Sequence, residues 1–331
     1  MHDINILFVI VILAVLFDIA NGWHDCANAI ATVVSTKVLS PMKAVVLAAS
    51  MNIIGAFLTT AVAKTVGTGI ADPAAVTDLV IIAALLSAIL WNLITILMGL
   101  PVSSSHALFG GIAGAAMAHG GVGILNISGI IKILMSLFIS PVFGIIIGYL
   151  FMKAVLALFG HLAPGTISKY FGRLQILSSS FMAFGHGSND AQKAMGIITM
   201  ALVAAGKIDS VDVPTWVILT CALAMGFGTL FGGWKIIKTL GVKMLKLEPI
   251  HGFAAETSSA AIIVAASHFG LPVSTTHVVS TAILGVGATK RLSAVRWGIA
   301  GKIVMAWVLT LPICIGMAWG ILHLLEYLHI G

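Results

Sequence analysis

The sequence predicts an all-α polytopic membrane protein built from two inverted repeats of about five apolar segments each, about 10 to 12 membrane segments in all. The composition is the first reason, since 60% of the 331 residues are hydrophobic and only 8% are charged. Several apolar runs approach the roughly 20 residues that cross a bilayer, which is the second. Third, the phrase GLPVS occurs twice, at residues 99–103 and 270–274, so the chain carries an internal repeat.

Ten apolar segments follow one another along the chain, five in each half, and broken or half helices are expected among them. They lie at 4–36, 42–64, 77–98, 104–118, 128–160, 174–206, 213–234, 251–269, 275–289 and 294–325. The two long segments, 4–36 and 174–206, are candidates for breaks. We predict a first repeat over 1–160 and a second over 161–331, which together form one membrane domain. Five crossings per repeat make the second enter from the opposite face, which inverts it.

The positive charges are sorted unevenly between the two faces that ten crossings create. One face receives only Lys64 and Lys207. The other receives Lys37, Lys43, Lys169, Arg173, Lys235, Lys238, Lys243, Lys246, Lys290, Arg291 and Arg296. The basic face is therefore predicted to be cytoplasmic, with both termini outside, in the plasma (inner) membrane. This topology places the two GLPVS phrases at opposite faces. Whether 104–118 and 275–289 span the membrane or re-enter is left open.

Each GLPVS phrase predicts a helix end followed by a helix start. Glycine and proline end the first helix, and the Ser/Thr cluster caps the next one. A helix N-terminus offers unpaired N–H groups and partial positive charge, which favour an anion. Hydroxyl groups there can donate to the oxygens of an oxyanion or accept from backbone N–H groups. The clusters are Ser103, Ser104 and Ser105 in the first half, and Ser274, Thr275 and Thr276 in the second.

A second pair of phrases also repeats, NGWHDCANAIAT at 21–32 and HGSNDAQKAMGIIT at 186–199. Their alignment puts Asp25 over Asp190, and ionisable residues inside membrane segments mark polar pathways. Carboxylates beside Asn side chains form an oxygen-rich site for Na⁺, or a place to load H⁺. Lys193 is expected to neutralise Asp190 or a bound anion, and Gln192 to donate its amide to an oxyanion.

The four motifs in this order resemble the inorganic phosphate transporter (PiT) family, in particular its bacterial low-affinity permeases. The resemblance covers nearly the whole chain, and it implies symport of inorganic phosphate with Na⁺ or H⁺ by an inverted-repeat, commonly dimeric transporter. Matched by motif, the coupling-ion (Na⁺ metal) ligands would be Asp25, Asn28, Asn189 and Asp190. The phosphate contacts would be Ser104, Ser105, Gln192, Thr275 and Thr276.

Several polar residues are expected to support this site. His24 stands where many sodium-coupled members have Asn, and an imidazole can carry a proton, so the coupling ion stays open. His106 and His277 follow the hydroxyl clusters and are predicted to hydrogen-bond behind them. Asp18 and Glu256 are candidates for proton carriers, for ion ligands, or for pairing across the repeats. The role of His186 is open.

The sequence also limits the other function classes. No enzyme activity and no cofactor beyond the co-transported ion is expected, and the net charge of +6 belongs to lipid-facing loops rather than to nucleic-acid binding. Four lysines between 235 and 246 are expected near anionic lipid, or at a cytoplasmic regulatory partner. The alternatives are a transporter of sulfate or another tetrahedral oxyanion, a channel, and, remotely, an intramembrane hydrolase using Ser, His and Asp.

Overall fold

The computed structural model describes residues 4–71 and 76–328, which are helical almost throughout and contain no β-strand. Apolar sequence with few breakers favours helices, because a helix satisfies its own backbone hydrogen bonds inside a membrane. The α-helices of the described chain are α1 (Ile4–Ser35), α2 (Pro41–Gly55), α3 (Ala61–Gly69), α4 (Asp78–Met98), α5 (Ser104–Gly120), α6 (Ile127–Phe159), α7 (Pro164–Ala204), α8 (Thr215–Leu230), α9 (Trp234–Lys238), α10 (Pro249–His268), α11 (Thr275–Lys290) and α12 (Trp297–Tyr327).

The breaks in the helices fall at different places from those predicted. The segment 42–64 is not one helix but two, since α2 ends at Gly55 and α3 begins at Ala61. In the second half, α8 is bent by 63° against α9 and the π-helical turn Thr239–Lys243 that follows. The long helices α1 and α7 are continuous, so the breaks predicted inside them are wrong. Their polar motifs pack against neighbouring helices, and the backbone has no need to unwind.

Four helices of the described chain are each long and apolar enough to cross a membrane, and α8 with the bent continuation makes up to a fifth. These four are α1, over Asn5–Ser35, and α4, α6 and α12. The 41-residue helix α7 is longer still, but it carries the polar motif around Asp190. The protein is therefore a multi-pass membrane protein.

The two GLPVS phrases form the tips of helical hairpins that meet inside the bundle. Helix α5 folds back along α4, so that a Cβ atom on Gly111 would lie 2.7 Å from the carbonyl oxygen of Ala84. The tips touch where Ser105 Oγ donates to Val273 O at 3.2 Å. The expectation that the phrases lie at opposite faces is wrong. Helices α5 and α11 have 17 and 16 residues, or about 25 Å of length, less than the roughly 30 Å of a hydrocarbon core.

The loops nevertheless keep the grouping that the charges predicted, because a hairpin returns to the side from which it came. Asn126 N, at the start of α6, donates to Ile70 O at 2.9 Å, so the first hairpin begins and ends on one side. An exposed ion pair of 2.7 Å joins Lys64 to Asp212, two residues predicted to share a face. The hydrogen bond from Lys64 holds the pKa of the Asp212 carboxyl below its ordinary value.

The two halves interlock, because each lays its short hairpin helix against the last helix of the other half. Helix α5 packs on α12, and α11 packs on α6. Glycines permit the approach: a Cβ on Gly110 would lie 2.8 Å from Leu311 O, and one on Gly148 2.8 Å from Ala282 O. Small residues of this kind let membrane helices approach closely. The predicted repeat boundary at 160/161 falls in the exposed turn between α6 and α7.

Candidate functional site

The starts of α5 and α11 are capped as the sequence predicts. Ser103 Oγ accepts from His106 N at 3.2 Å, and Ser274 Oγ accepts from His277 N at 3.3 Å. Before each cap the chain turns at a glycine with positive φ, as in Gly99 at +69°, a conformation that glycine adopts without steric cost. The predicted caps are confirmed. Two helix N-termini, with their remaining unpaired N–H groups, therefore face one interior region.

Two carboxylates lie directly at the start of α11. Thr276 Oγ1 donates to Asp25 Oδ1 at 3.2 Å, and Thr275 Oγ1 donates to Asp190 Oδ2 at 3.3 Å. Asn28 Nδ2 donates to Thr276 Oγ1 at 2.9 Å. All five side chains are buried, and they come from α1, α7 and α11. The structure thus brings the predicted cation ligands Asp25, Asn28 and Asp190 against two of the predicted phosphate ligands.

Basic groups surround these carboxylates. His24 Nδ1 lies 2.6 Å from Asp25 Oδ1, and the buried Lys193 Nζ lies 2.8 Å from Asp190 Oδ1. One ligand atom each from Asp25, His186 and Asp190 lies within 4.8 Å of the others, a spacing that can hold a metal ion. The sequence left the role of His186 open. Its position four residues before Asp190, on the same helix face, was the available signal.

Two predicted site residues direct their hydrogen bonds to groups other than the hydroxyl clusters. Asn189 Nδ2 donates to Ser267 Oγ at 3.0 Å, which ties α7 to α10, and to Leu271 O in the second GLPVS phrase at 3.3 Å. Gln192 Oε1 accepts from the backbone N–H groups of Val62 and Ala63 at 2.9 and 3.1 Å, and so caps the start of α3. Neither forms a hydrogen bond with the hydroxyl clusters, and their contacts with a bound ion or phosphate stay predictions. The buried side-chain amide oxygen of Asn189 has no hydrogen-bond partner among the described residues.

The first hairpin contributes side chains with fewer hydrogen-bond partners than those at the start of α11. Ser104 Oγ is buried without a hydrogen-bond partner in the described chain. The rings of His106 and His277 lie with their centroids 4.7 Å apart, directly behind the two hydroxyl clusters. His277 also contacts Trp307 at 3.9 Å between centroids, and Trp307 Nε1 donates to Pro101 O at 2.9 Å. Aromatic contacts therefore join the two tips to each other and to α12.

A further buried carboxylate lies apart from these tips. Glu256 on α10 receives hydrogen bonds from the hydroxyls of Thr32 and Ser178, and from Gln175 Nε2 at 3.1 Å. Sequence analysis named Glu256 but missed its donors. Gln175 and Ser178 are three residues apart on α7, a spacing that could have indicated them. When the GLPVS phrases are aligned, the apolar Leu85 corresponds to Glu256, so the first half has no counterpart of this carboxylate.

The geometry combines two chemical preferences in one buried interior. Helix N-termini and hydroxyls favour an oxyanion, and carboxylates with amide oxygens favour a cation. The carboxylates accept hydrogen bonds from Thr275 and Thr276, which also begin α11. A bound cation and a bound oxyanion would therefore be neighbours. The two tips repeat the same residue types, whereas a hydrolase needs a nucleophile, a base and an oxyanion hole in different roles.

Known proteins resemble this chain over nearly its whole length. The family described as "Phosphate transporter family" matches residues 21–318. A probable low-affinity inorganic phosphate transporter of Bacillus subtilis (strain 168) is 52% identical over 307 residues, which cover 92% of each chain. One of Rhizobium meliloti (strain 1021) is 48% identical over 305 residues, 92% of this chain and 91% of the relative.

A solved structure extends the likeness to the fold. It is described as "The sodium-dependent phosphate transporter", and it matches with a TM-score of 0.91 at 25% identity. The match covers 98% of this chain and 100% of the other. These relatives are transporters, and this protein is not an enzyme. With the family match spanning the hairpin tips and both Asp motifs, the chain belongs to the phosphate transporter family.

Proposed function

We propose that this transporter is a symporter that takes up inorganic phosphate with Na⁺ or H⁺ across the plasma membrane. The anion binds between the starts of α5 and α11. Phosphate accepts hydrogen bonds from their free N–H groups and from the hydroxyls of Ser104, Ser105, Thr275 and Thr276. Lys193 supplies positive charge beside it, and Gln192 is a further predicted donor.

One observation carries the proposal of symport: the hydroxyls of Thr275 and Thr276 already donate to Asp190 and Asp25, at 3.3 and 3.2 Å. An anion at the same hydroxyls meets two carboxylates. Two like charges about 4 Å apart repel by about 4 kcal/mol at an effective dielectric constant of about 20. A cation on these carboxylates removes that repulsion, so anion and cation bind more tightly together than apart.

The cation site is proposed around the same two residues. Asp25 and Asp190 supply carboxylate oxygens, and the buried amide oxygens of Asn28 and Asn189 have no partner among the described residues. These are hard oxygen ligands suited to Na⁺. His24, at 2.6 Å from Asp25, offers a proton instead. Glu256 is a further candidate for cation binding.

Alternating access is proposed to arise from rocking of the two repeats, 1–160 and 161–331, around the tips. In this topology the basic loops face the cytoplasm and both termini lie outside. The chain is proposed to act as a homodimer in a lipid membrane. The cytoplasmic lysines between 235 and 246 offer a surface to anionic lipid or to a regulatory partner.

Purified protein in proteoliposomes tests this function. Phosphate should accumulate when an inward Na⁺ or H⁺ gradient is imposed, one at a time, and equilibrate without a gradient. Asp25→Asn, at equal reconstitution, should abolish accumulation because the cation loses its carboxylate. Glu326→Gln, an exposed acid near the end of α12, is the matched control and should accumulate normally. Accumulation by Asp25→Asn at the wild-type level would overturn the role of Asp25.

Sulfate is the alternative substrate, because helix N-termini and hydroxyls accept either tetrahedral oxyanion. Uptake of labelled phosphate in the presence of excess sulfate distinguishes them. We expect little inhibition by sulfate and full competition by unlabelled phosphate. Strong inhibition by sulfate, together with gradient-driven sulfate uptake, would show that the substrate is the other anion. Equilibration without accumulation under every gradient would indicate a channel.

A further inference from the structure

Asp18 is a buried acid that the proposed site does not use. It lies on α1, two helical turns before Asp25, and is 0% exposed. No hydroxyl, amide or charged side chain of the described chain donates a hydrogen bond to either of its carboxyl oxygens. Its polar neighbour is the thiol of Cys221 on α8, and a thiol is a weak donor. An ionised carboxylate without donors is costly in an apolar interior.

The contrast with Glu256 indicates that Asp18 is not a structural acid. Glu256 also has no counterpart in the other half, yet it receives three hydrogen bonds from protein groups. Asp18 has no such set, and alignment of Asp25 with Asp190 puts Ala183 at its place in the second half. The repeat-related position in the second half is therefore apolar. One turn further along α1, Asn21 is also 0% exposed, and neither its amide oxygen nor its nitrogen has a partner in the described chain.

The charged groups that act on Asp18 belong to the substrate region. From α7, Asp190 repels the Asp18 carboxylate and Lys193 attracts it. From α8, Cys221 faces it. Helix α4, which also packs on α1, carries a single ionisable side chain, Asp78, in its first turn. Lys193 pairs with Asp190 at 2.8 Å, and its positive charge also acts on Asp25 and Asp18.

We propose that Asp18 binds the proton that is transported together with phosphate, an inference that rests on the proposed function and names its coupling ion. With the anion site empty, Lys193 is shared among the carboxylates. When phosphate binds, it attracts the Lys193 ammonium group and adds negative charge beside Asp190. The Asp18 carboxylate then takes up a proton from the outer side, and its O–H bond breaks again when phosphate leaves on the inner side. Proton and anion binding are thus linked through Lys193.

The test separates gradient-driven uptake from exchange in proteoliposomes. An inward gradient of about one pH unit supports about tenfold accumulation per coupled proton. Asp18→Asn is permanently neutral, so its accumulation ratio should fall to about one, with no phosphate-dependent acidification reported by a pH dye inside the vesicles. Exchange of external for internal phosphate needs no net proton movement, and it should continue. Asp18→Glu should restore accumulation, and the exposed Asp212→Asn should behave as wild type.

The outcomes are distinguishable from failure of the proposed function. Loss of all phosphate transport by the wild-type protein would overturn the function itself. Wild-type accumulation driven by Na⁺ but not by H⁺ would overturn the Asp18 proposal alone. So would accumulation by Asp18→Asn under the pH gradient, or loss of exchange in the folded variant. If Asp18→Asn does not fold, labelling of the wild-type protein with a hydrophobic carbodiimide decides. Modification of Asp18 that declines as pH rises supports the proposal, and no modification at any pH overturns it.

Discussion

At the residue scale, Thr276 shows how one hydroxyl can contact both the proposed phosphate site and a carboxylate of the proposed cation site. It donates to Asp25 Oδ1 and accepts from Asn28 Nδ2, at 3.2 and 2.9 Å. Its neighbour Thr275 repeats the arrangement with Asp190. A side chain that links the carboxylate to the helix N-terminus is placed to sense whether a cation is present. The coupling proposed here is therefore a property of a few contacts about 3 Å long rather than of a long pathway.

We predict that Thr276→Val raises the KM for phosphate by about tenfold to a hundredfold, because hydrogen bonds to charged groups contribute about 1.5–3 kcal/mol. Uptake at several phosphate concentrations measures this. Thr276→Ser keeps the hydroxyl and should stay close to wild type. Thr289→Val is the matched control, since Thr289 Oγ1 donates only within its own helix, to Val286 O at 2.7 Å. A KM unchanged in Thr276→Val would remove Thr276 from the phosphate site.

The local parts of the site were predictable at this scale, whereas the partners were not. Ser103 and Ser274 cap their helices because a cap depends on residues three positions apart. The partners of Asn189 and Gln192 lie on other helices, and no local pattern encodes them. His186 was recognisable only as a polar residue one turn before Asp190. Its approach to Asp25 requires α1 and α7 to cross at these motifs.

At the scale of elements, the hairpins α4–α5 and α10–α11 decide where the site lies. Each short helix runs beside a long one, with α5 on α12 and α11 on α6. Glycines make the contact possible, and a Cβ at Gly114 would overlap the backbone of Ile315. Gly110, Gly111 and Gly114 are therefore expected to tolerate no side chain, although alanine is a better helix former.

We expect Gly114→Ala to lower the thermal unfolding midpoint of the purified transporter, because overpacking costs about 1–3 kcal/mol. Gly316→Ala is the matched control on α12. Its Cβ meets open space, and it should leave the midpoint unchanged or raise it by removing backbone freedom from the unfolded chain. Tryptophan fluorescence during heating in detergent measures both. Equal midpoints for the two variants would contradict the close contact of α5 with α12.

The hairpins also explain why the loops keep the predicted grouping, although the phrases between the helices do not lie where ten crossings would put them. Ten crossings were predicted, whereas the tips of the two hairpins meet inside the bundle. Although α4 is long and apolar enough to cross a membrane by itself, we infer that each hairpin turns back and replaces two crossings by none. In each half this leaves the first long helix, the broken pair and the last long helix. Three crossings and five are both odd, so the second half still enters from the other side. Only the GLPVS loops differ from the prediction, because they lie in the interior of the bundle and not at the membrane faces.

At the scale of the whole molecule, the halves are interlocked rather than adjacent. Helix α1 of the first half packs on α8, and α2 packs on α7, in addition to the exchange of hairpins. The two tips meet only because each half inserts one. The rocking of the repeats that we propose would have to slide or separate these contacts, and it would open the site first to one side and then to the other.

Cutting the chain between residues 160 and 161 should leave a transporter that assembles from two pieces. Neither piece alone buries its hairpin helix, so each should be degraded or aggregate when expressed singly. Expressed together, a tag on one piece should co-purify the other and restore phosphate uptake. The turn there is exposed, which makes the cut tolerable. Stable, active single halves would contradict the interlocked arrangement.

The sequence by itself determined the membrane class, the internal repeat, the capped helix starts and the family, because composition, spacing and short motifs are local properties of the chain. Only the tertiary structure decided that the two GLPVS phrases meet and that Thr275 and Thr276 lie on Asp190 and Asp25. It also decided that, among the described residues, Asp18 has no hydroxyl, amide or charged donor while Glu256 has three. These facts depend on which helices cross and where. The crossings are set by glycine contacts and helix lengths that act together over the whole bundle.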